Sequence, residues 1–191
     1  RELRLELGCG KGRFTAGTAA AEPDVLFIAV ERVPDAWSWP WSGVRPRGSP
    51  TCSSSTPMLT SCPLFFAPGE ADRIYINFCD PWPSNRHAKR RLTHGNFLRL
   101  YRQVLKMGGQ IHFKTDNAPL FEWSLGEFEA CGLEIRNLTR NLHESGPVGI
   151  MTGYEEKFYA LGTPINRCEL INHGVLPDPE PAEKDEQTGI L

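Results

Sequence analysis

The opening of the chain constrains the fold more than any other stretch. Leu3 to Leu7 reads as a short apolar strand that runs straight into Gly8-Cys9-Gly10-Lys11-Gly12. Residues 13–21 are small and compatible with a helix. Strand, glycine turn and helix in that order form the first crossover of an α/β fold, because glycine lets the backbone turn tightly and approach a ligand. Val25 to Val30 predicts a second strand ended by Glu31, and 73–79 a later one. Phe97, Leu98, Tyr101, Val104 and Leu105 recur at helical spacing within 93–106, with Gly108-Gly109 closing that helix. Ile111 to Lys114 predicts the next strand, ending at Thr115-Asp116-Asn117. A helix over 118–130 with Gly132 as its C-cap, a strand from Leu133 to Leu138 and a final strand from Glu156 to Leu161 follow. Strands alternating with helices predict one Rossmann-like α/β domain over 1–165, a mostly parallel sheet flanked by helices.

A length of 191 residues suits a single domain with a full core. The net charge of −2 excludes a protein that coats nucleic acid over its whole surface, so any polyanion must meet a local basic patch. No apolar run reaches the roughly 18 residues of a membrane span, and no signal peptide is visible. Arg1 in place of Met points to a truncated start. The six cysteines include no C-x-x-C pair. They read as ordinary thiols of a reducing cytoplasm, with no disulfide framework and no metal site. From Gly174 to Leu191 the chain is rich in Pro and acid, and a disordered tail is expected there.

Two motifs carry chemistry. Glycines 8, 10 and 12 precede a helix, whose N-terminus would point at a ligand, and Glu31 follows about twenty residues on, where an acid can hold ribose hydroxyls. That pattern also suits an NAD-type site. Glu6, just before the turn, could hold a cationic amino group of a ligand, which NAD lacks, or simply bond the amides of the turn. The second motif is Asp80-Pro81-Trp82-Pro83, followed by Arg86-His87-Ala88-Lys89-Arg90-Arg91. A carboxylate at a strand's C-terminal edge faces the ligand crevice of an open α/β sheet. The tryptophan offers a flat face to a base, and the cations suit a phosphate backbone. The alternatives are a turn-capping Asp80 and a solvated basic face. Asp116 would face the same crevice or merely form a turn. Thr152 and Glu155 have the spacing of a capping box.

One segment conflicts with the fold. Ala36 to Gly69 contains no Asp or Glu, and Trp37, Trp39 and Trp41 alternate around Pro40 where an amphipathic helix is needed. A shifted reading frame offers an explanation. Codons compatible with Trp37 to Gly43 can be read one base earlier as M-V-M-A-M-E-R, a good helix. Cys52 to Cys62 shifted likewise can give a strand-like Q-L-L-D-A-D-A-H-E-L. The DNA of the gene decides between this and a genuine variant over 36–62.

With these residues in view, the chain resembles the bacterial single-subunit tRNA (guanine-N7-)-methyltransferases, a family with the class I S-adenosylmethionine-dependent fold. The resemblance rests on Leu5-Glu6-Leu7-Gly8-Cys9-Gly10-Lys11-Gly12, Glu31-Arg32, Asp80-Pro81-Trp82-Pro83 with its basic run, His112-Phe113-Lys114-Thr115-Asp116 and Thr152-Gly153-Tyr154-Glu155. It spans roughly Leu3 to Asp35 and Leu64 to Leu161. It implies methyl transfer from S-adenosylmethionine to N7 of a guanine in the variable loop of tRNA, by a monomer or homodimer in the cytoplasm. It further implies that Glu6, Gly8, Gly10, Gly12, Glu31 and Asp80 hold the cofactor, that Asp80 is catalytic, and that Asp116, Thr152 and Glu155 hold the guanine. Arg86, Lys89 and Arg90 would meet the RNA. The chain departs from the family at Ser84, where a Lys is usual, and in 36–62, which lacks an acidic cofactor residue. That gap leaves a second possibility, an impaired RNA-binding fragment with a broken cofactor pocket.

Overall fold

The computed structural model describes residues 1–31 and 66–174, together with the backbone of Thr51–Ser54. The strands are β1 (Leu3–Leu7), β2 (Leu26–Glu31), β3 (Thr51–Ser54), β4 (Ala71–Asn77), β5 (Leu105–Thr115), β6 (Glu134–Thr139) and β7 (Asn166–Ile171). The helices among the described residues are α1 (Arg13–Ala21), α2 (Gly95–Val104), α3 (Ala118–Ala130) and α4 (Gly153–Ala160), with a 3-10 turn over Asn85–Arg90. The strands form one sheet in the order β3-β2-β1-β4-β5-β7-β6. Pairing is parallel from β3 through β5, whereas β7 runs antiparallel to both β5 and β6. Chain order reverses between β1 and β4. The crevice for a ligand therefore opens at the C-terminal ends of those two strands.

All five residues of β1 are buried, as a parallel strand covered on both faces must be. Leu3, Leu5 and Leu7 join the main core, with Ile74, Ile76, Ile111 and Phe113 from neighbouring strands and Leu98, Tyr101, Phe121 and Phe128 from α2 and α3. Phe113 stacks on Phe121 at 5.9 Å and meets Phe128 edge-on at 5.7 Å. The opposite face is more polar. There Glu6 meets Thr15 of α1, and Arg4 meets Glu22 just past its end. The apolar part of this face is a smaller cluster of Phe14, Phe27 and Tyr75.

Three expectations need correction. Glu156 to Leu161 is not a strand: Gly153–Ala160 is α4, because Thr152 and Glu155 form a complete capping box that starts a helix. The last strand is instead β7. The domain therefore continues past the expected end at 165, since β7 is inserted between β5 and β6. Gly108-Gly109 does not cap α2. That helix ends at Val104, and both glycines lie within β5, where the register against β4 shifts between Ala71 and Arg73. A β-carbon on Gly109 would sit 2.9 Å from the Lys106 carbonyl oxygen and 3.2 Å from that of Asp72. Gly109→Ala is accordingly expected to cost about 1–3 kcal/mol in a denaturant titration, because backbone atoms cannot move aside cheaply.

The suspect segment 36–62 and the missing acid lie outside the described residues, apart from the backbone of β3. So does the expected tail beyond Gly174. Cys9, Cys79, Cys131 and Cys168 form no disulfide among the described residues. No helix among the described residues is long and apolar enough to cross a membrane, and no three potential metal ligands come together there.

Candidate functional site

The glycine turn forms one wall of the crevice. Gly8, Gly10 and Gly12 all have left-handed backbones, with φ of 74°, 52° and 69°. A side chain at any of the three would be strained. The Gly8 amide donates to the Val30 carbonyl at 2.8 Å, which holds the turn against β2. At the end of that strand the Glu31 carboxylate accepts the Gly10 amide at 2.7 Å. Both acids expected beside the turn are thus in place.

Glu6 is 2% exposed, and its carboxylate accepts from the Thr15 hydroxyl and, at 3.0 Å, from Asn77 Nδ2. Burial raises its pKa, with those hydrogen bonds and the Lys114 charge pulling the other way. The Asn77 carbonyl oxygen is buried without a partner. Glu6, Asn77 and the glycine turn line a cleft of about 550 Å³ that Phe78, Thr152 and Tyr154 also border. A carboxylate and an orphaned amide oxygen, short of water and next to a cavity, suit a cationic ligand. Glu6→Gln should therefore weaken cofactor binding yet stabilise the empty protein at neutral pH. A raised folded-state pKa makes the ionised acid a burden that is complete above that pKa. The gain should vanish below the ordinary value of 4.5. Melting curves across pH check this.

Asp80 stands two residues beyond Phe78, where β4 has ended. It is exposed and has no hydrogen bond or ion pair among the described residues. Its loop is held by its neighbours. Phe78 and Trp82 adopt left-handed backbones, with φ of 53° and 42°, an uncommon strain in non-glycine residues. Arg91 supplies the restraint: its Nε donates to the Pro81 carbonyl at 3.0 Å and its Nη2 to that of Trp82 at 2.9 Å. The same guanidinium lies 4.2 Å from the Trp123 ring centre. Arg91 is buried, so this member of the basic run is a strap and not a surface contact. Arg91→Lys keeps the charge and loses the fork. We expect a fall of about tenfold in turnover, with a smaller change in cofactor affinity.

Arg86, Lys89 and Arg90 are exposed on the 3-10 turn beside this loop. Arg90 lies 5.0 Å from the Trp82 ring centre and His87 packs edge-on against the ring at 5.9 Å. Arg90 and His87 thus take up part of the surface that the indole was expected to offer a base. The freer aromatic is Tyr154, 66% exposed at the cleft, in a stacked row with Phe158 and Phe78. Ser84 is exposed and stands at the N-cap position of the 3-10 turn, without a side-chain capping bond. Burial and the Asp80 charge push the Cys79 thiol up to about 12, which disfavours the thiolate.

Asp116 follows the end of β5 and is half-buried, on the same edge of the sheet as Asp80. Thr152 borders the cleft. Glu155 is placed differently from expectation: it is fully buried, and its oxygens accept from Lys114 Nζ at 2.6 Å and His143 Nε2 at 3.0 Å. Its carboxylate is committed to the protein interior. Lys114, His143, Asn77 and the inward turn of Arg91 escaped the sequence reading. The capping box pointed to Thr152 and Glu155 and to none of these.

These features define a class. A sheet in this order, with a glycine turn after β1, an acid ending β2 and an antiparallel β7, is that of the class I methyltransferases. Solved structures agree on the fold. The 16S rRNA methyltransferase KamB superposes with a TM-score of 0.65 at 12% identity, over 93% of this chain and 89% of its own. A 16S rRNA (adenine(1408)-N(1))-methyltransferase from Catenulisporales acidiphilia, with SAM bound, gives 0.62 at 15% identity, over 94% and 88%. A family model described as "Putative methyltransferase" matches residues 1–168. The tRNA (guanine-N(7)-)-methyltransferase of Streptococcus suis is 42% identical over 87% of this chain and 79% of its own. Those of Bacillus subtilis and Bacillus licheniformis are 43% and 44% identical, each over 79% of its own length and over 88% and 87% of this chain. The chain belongs to this bacterial tRNA (guanine-N7-)-methyltransferase family.

Proposed function

We propose that the protein transfers a methyl group from S-adenosylmethionine to N7 of a guanine in the variable loop of tRNA. The observation that carries this reading is the uncommitted Asp80 carboxylate, set at the sheet's reversal point between the glycine-turn cleft and an exposed basic turn. The names of the relatives support the same substrate. Identity of 42–44% over seven-eighths of the chain favours an enzyme over an impaired RNA-binding fragment. Glu6 counts against an NAD site.

The residues fit the cofactor. The Glu6 carboxylate and the Asn77 amide oxygen suit an ammonium group, Glu31 suits ribose hydroxyls, and Gly8, Gly10 and Gly12 admit close approach. When bound, S-adenosylmethionine supplies an electrophilic methyl group on a sulfonium. Guanine N7 has a lone pair and no proton, so the chain need supply no general base. Its task is alignment, with reacting atoms held about 3 Å apart. Positive charge grows on the guanine as N7 reacts, and the Asp80 carboxylate stabilises it. Asp116 can accept from the guanine N1–H and amino group, a donor pair that adenine lacks. Thr152 borders the same space. Arg86, Lys89 and Arg90 meet the phosphate backbone. Glu155 serves from beneath, by holding its neighbours. The acting unit is the domain that runs through β7.

Incubation of the full chain with labelled S-adenosylmethionine and unmodified tRNA, with the product mapped at base resolution, tests the proposal. N7-methylguanine at one variable-loop position is the expected product. Cofactor binding without transfer to any tRNA guanine would overturn it.

A further inference from the structure

We propose that His143 is a positioning residue for the substrate-facing edge of the cleft, acting through Glu155 and the backbone of Val148. The inference rests on the methyltransferase reading above. His143 is 7% exposed and lies in the turn between β6 and α4. Its Nδ1 accepts the Val148 amide at 3.2 Å, and its Nε2 meets Glu155 at 3.0 Å. An amide nitrogen can only donate, so Nδ1 carries no proton. The proton is on Nε2 and is donated to the carboxylate. One ring thus ties two separate pieces of chain together.

Each piece leads to the cleft. Glu155 also accepts Lys114 Nζ from β5 at 2.6 Å and the Thr152 amide at 3.2 Å, while Thr152 Oγ1 accepts the Glu155 amide at 3.0 Å. The N-terminal turn of α4, with Thr152 and Tyr154, is thereby pinned to the sheet. Val148 begins a strap that crosses to α1, where Ile150 packs against the cluster of Phe14, Phe27 and Tyr75 and lies against Gly17. The strap ends at Thr152. His143 therefore fixes both ends of 148–152, and that segment sets where Thr152 and Tyr154 stand. A buried carboxylate is a poor source of stability, since desolvation offsets most of the attraction to its partners. Its geometry is better suited to holding a segment in one place.

The charged and titratable groups around the ring are Glu155 and Tyr159 on α4, the latter edge-on at 5.2 Å, and Lys114 on β5 through Glu155.

Two variants of the full chain separate the ties. His143→Asn offers an oxygen near the Nδ1 position and loses the bond to Glu155. His143→Gln offers a donor near the Nε2 position and loses the acceptor for Val148. For both, KM for tRNA is expected to rise about ten- to hundred-fold with the affinity for S-adenosylhomocysteine changed less than about twofold. Hydrogen exchange of the 148–154 amides needs no substrate and should quicken about tenfold or more in both. Faster exchange in both variants of a chain that methylates no tRNA would leave the positioning role intact and the methyltransferase reading refuted. Unchanged exchange, or a lowered Tm with parental KM for tRNA, would overturn the role itself.

Discussion

Asp80→Asn is expected to lower the single-turnover rate of methyl transfer about 10²- to 10³-fold. The substitution conserves volume and removes one charge. The loop around it is held by Arg91 through the Pro81 and Trp82 carbonyls, and not by Asp80. Its shape should therefore survive, and the loss should report electrostatics at the guanine. Asparagine still offers an oxygen to the cofactor, so affinity for S-adenosylhomocysteine should fall only a few-fold. Rates at saturating tRNA, with calorimetry for the cofactor, separate the two terms. Full turnover in the variant would remove Asp80 from the chemistry. A rate lost together with the fold would show that the carboxylate is structural.

Glu155→Ala should destabilise the protein by about 3–5 kcal/mol, most of it from two side chains left buried without an acceptor. Lys114 is 8% exposed and His143 is 7% exposed, so neither reaches bulk water without moving the strap or α4. The helix also loses half of its capping box, worth about 0.5–2 kcal/mol alone and not additive with the first effect. Glu155→Gln keeps an acceptor for one partner and should cost clearly less. Denaturant titrations of the three proteins under one buffer decide this. An alanine variant as stable as the parent would show that the buried cluster carries no net weight.

Much of this molecule was legible because local rules and tertiary context agree. The strand, glycine turn and helix at 3–21 stand where expected, since left-handed turns need glycine whatever surrounds them. The α3 span of Ala118–Ala130 likewise has a side-chain N-cap at Asn117 and a left-handed Gly132 beyond its end. Where the reading failed, two local patterns competed. Glu156 to Leu161 has residues acceptable in a strand, but the cap at Thr152 started a helix first. β7 escaped because its buried face is Asn166, Cys168 and Leu170, and only the last is strongly apolar. Gly108-Gly109 looks like a helix stop, yet what it relieves is a crowded backbone between β4 and β5.

The sequence by itself determined the class of fold, the glycine turn, the acids at the ends of β1 and β2, and the family that the Asp-Pro-Trp-Pro loop marks. Each of these is written in neighbouring residues, and short-range sterics and hydrogen bonding act over that range. Only the tertiary structure decided what several side chains do. Arg91 looks like one more cation in a surface run, and it turns inward because the Pro81 and Trp82 carbonyls and the Trp123 ring receive it. Glu155 looks like a ligand for a base, and it is consumed by Lys114, 41 residues away. A side chain's partner is set by which distant strands and helices pack beside it. Residue order alone leaves that open until the sheet is assembled.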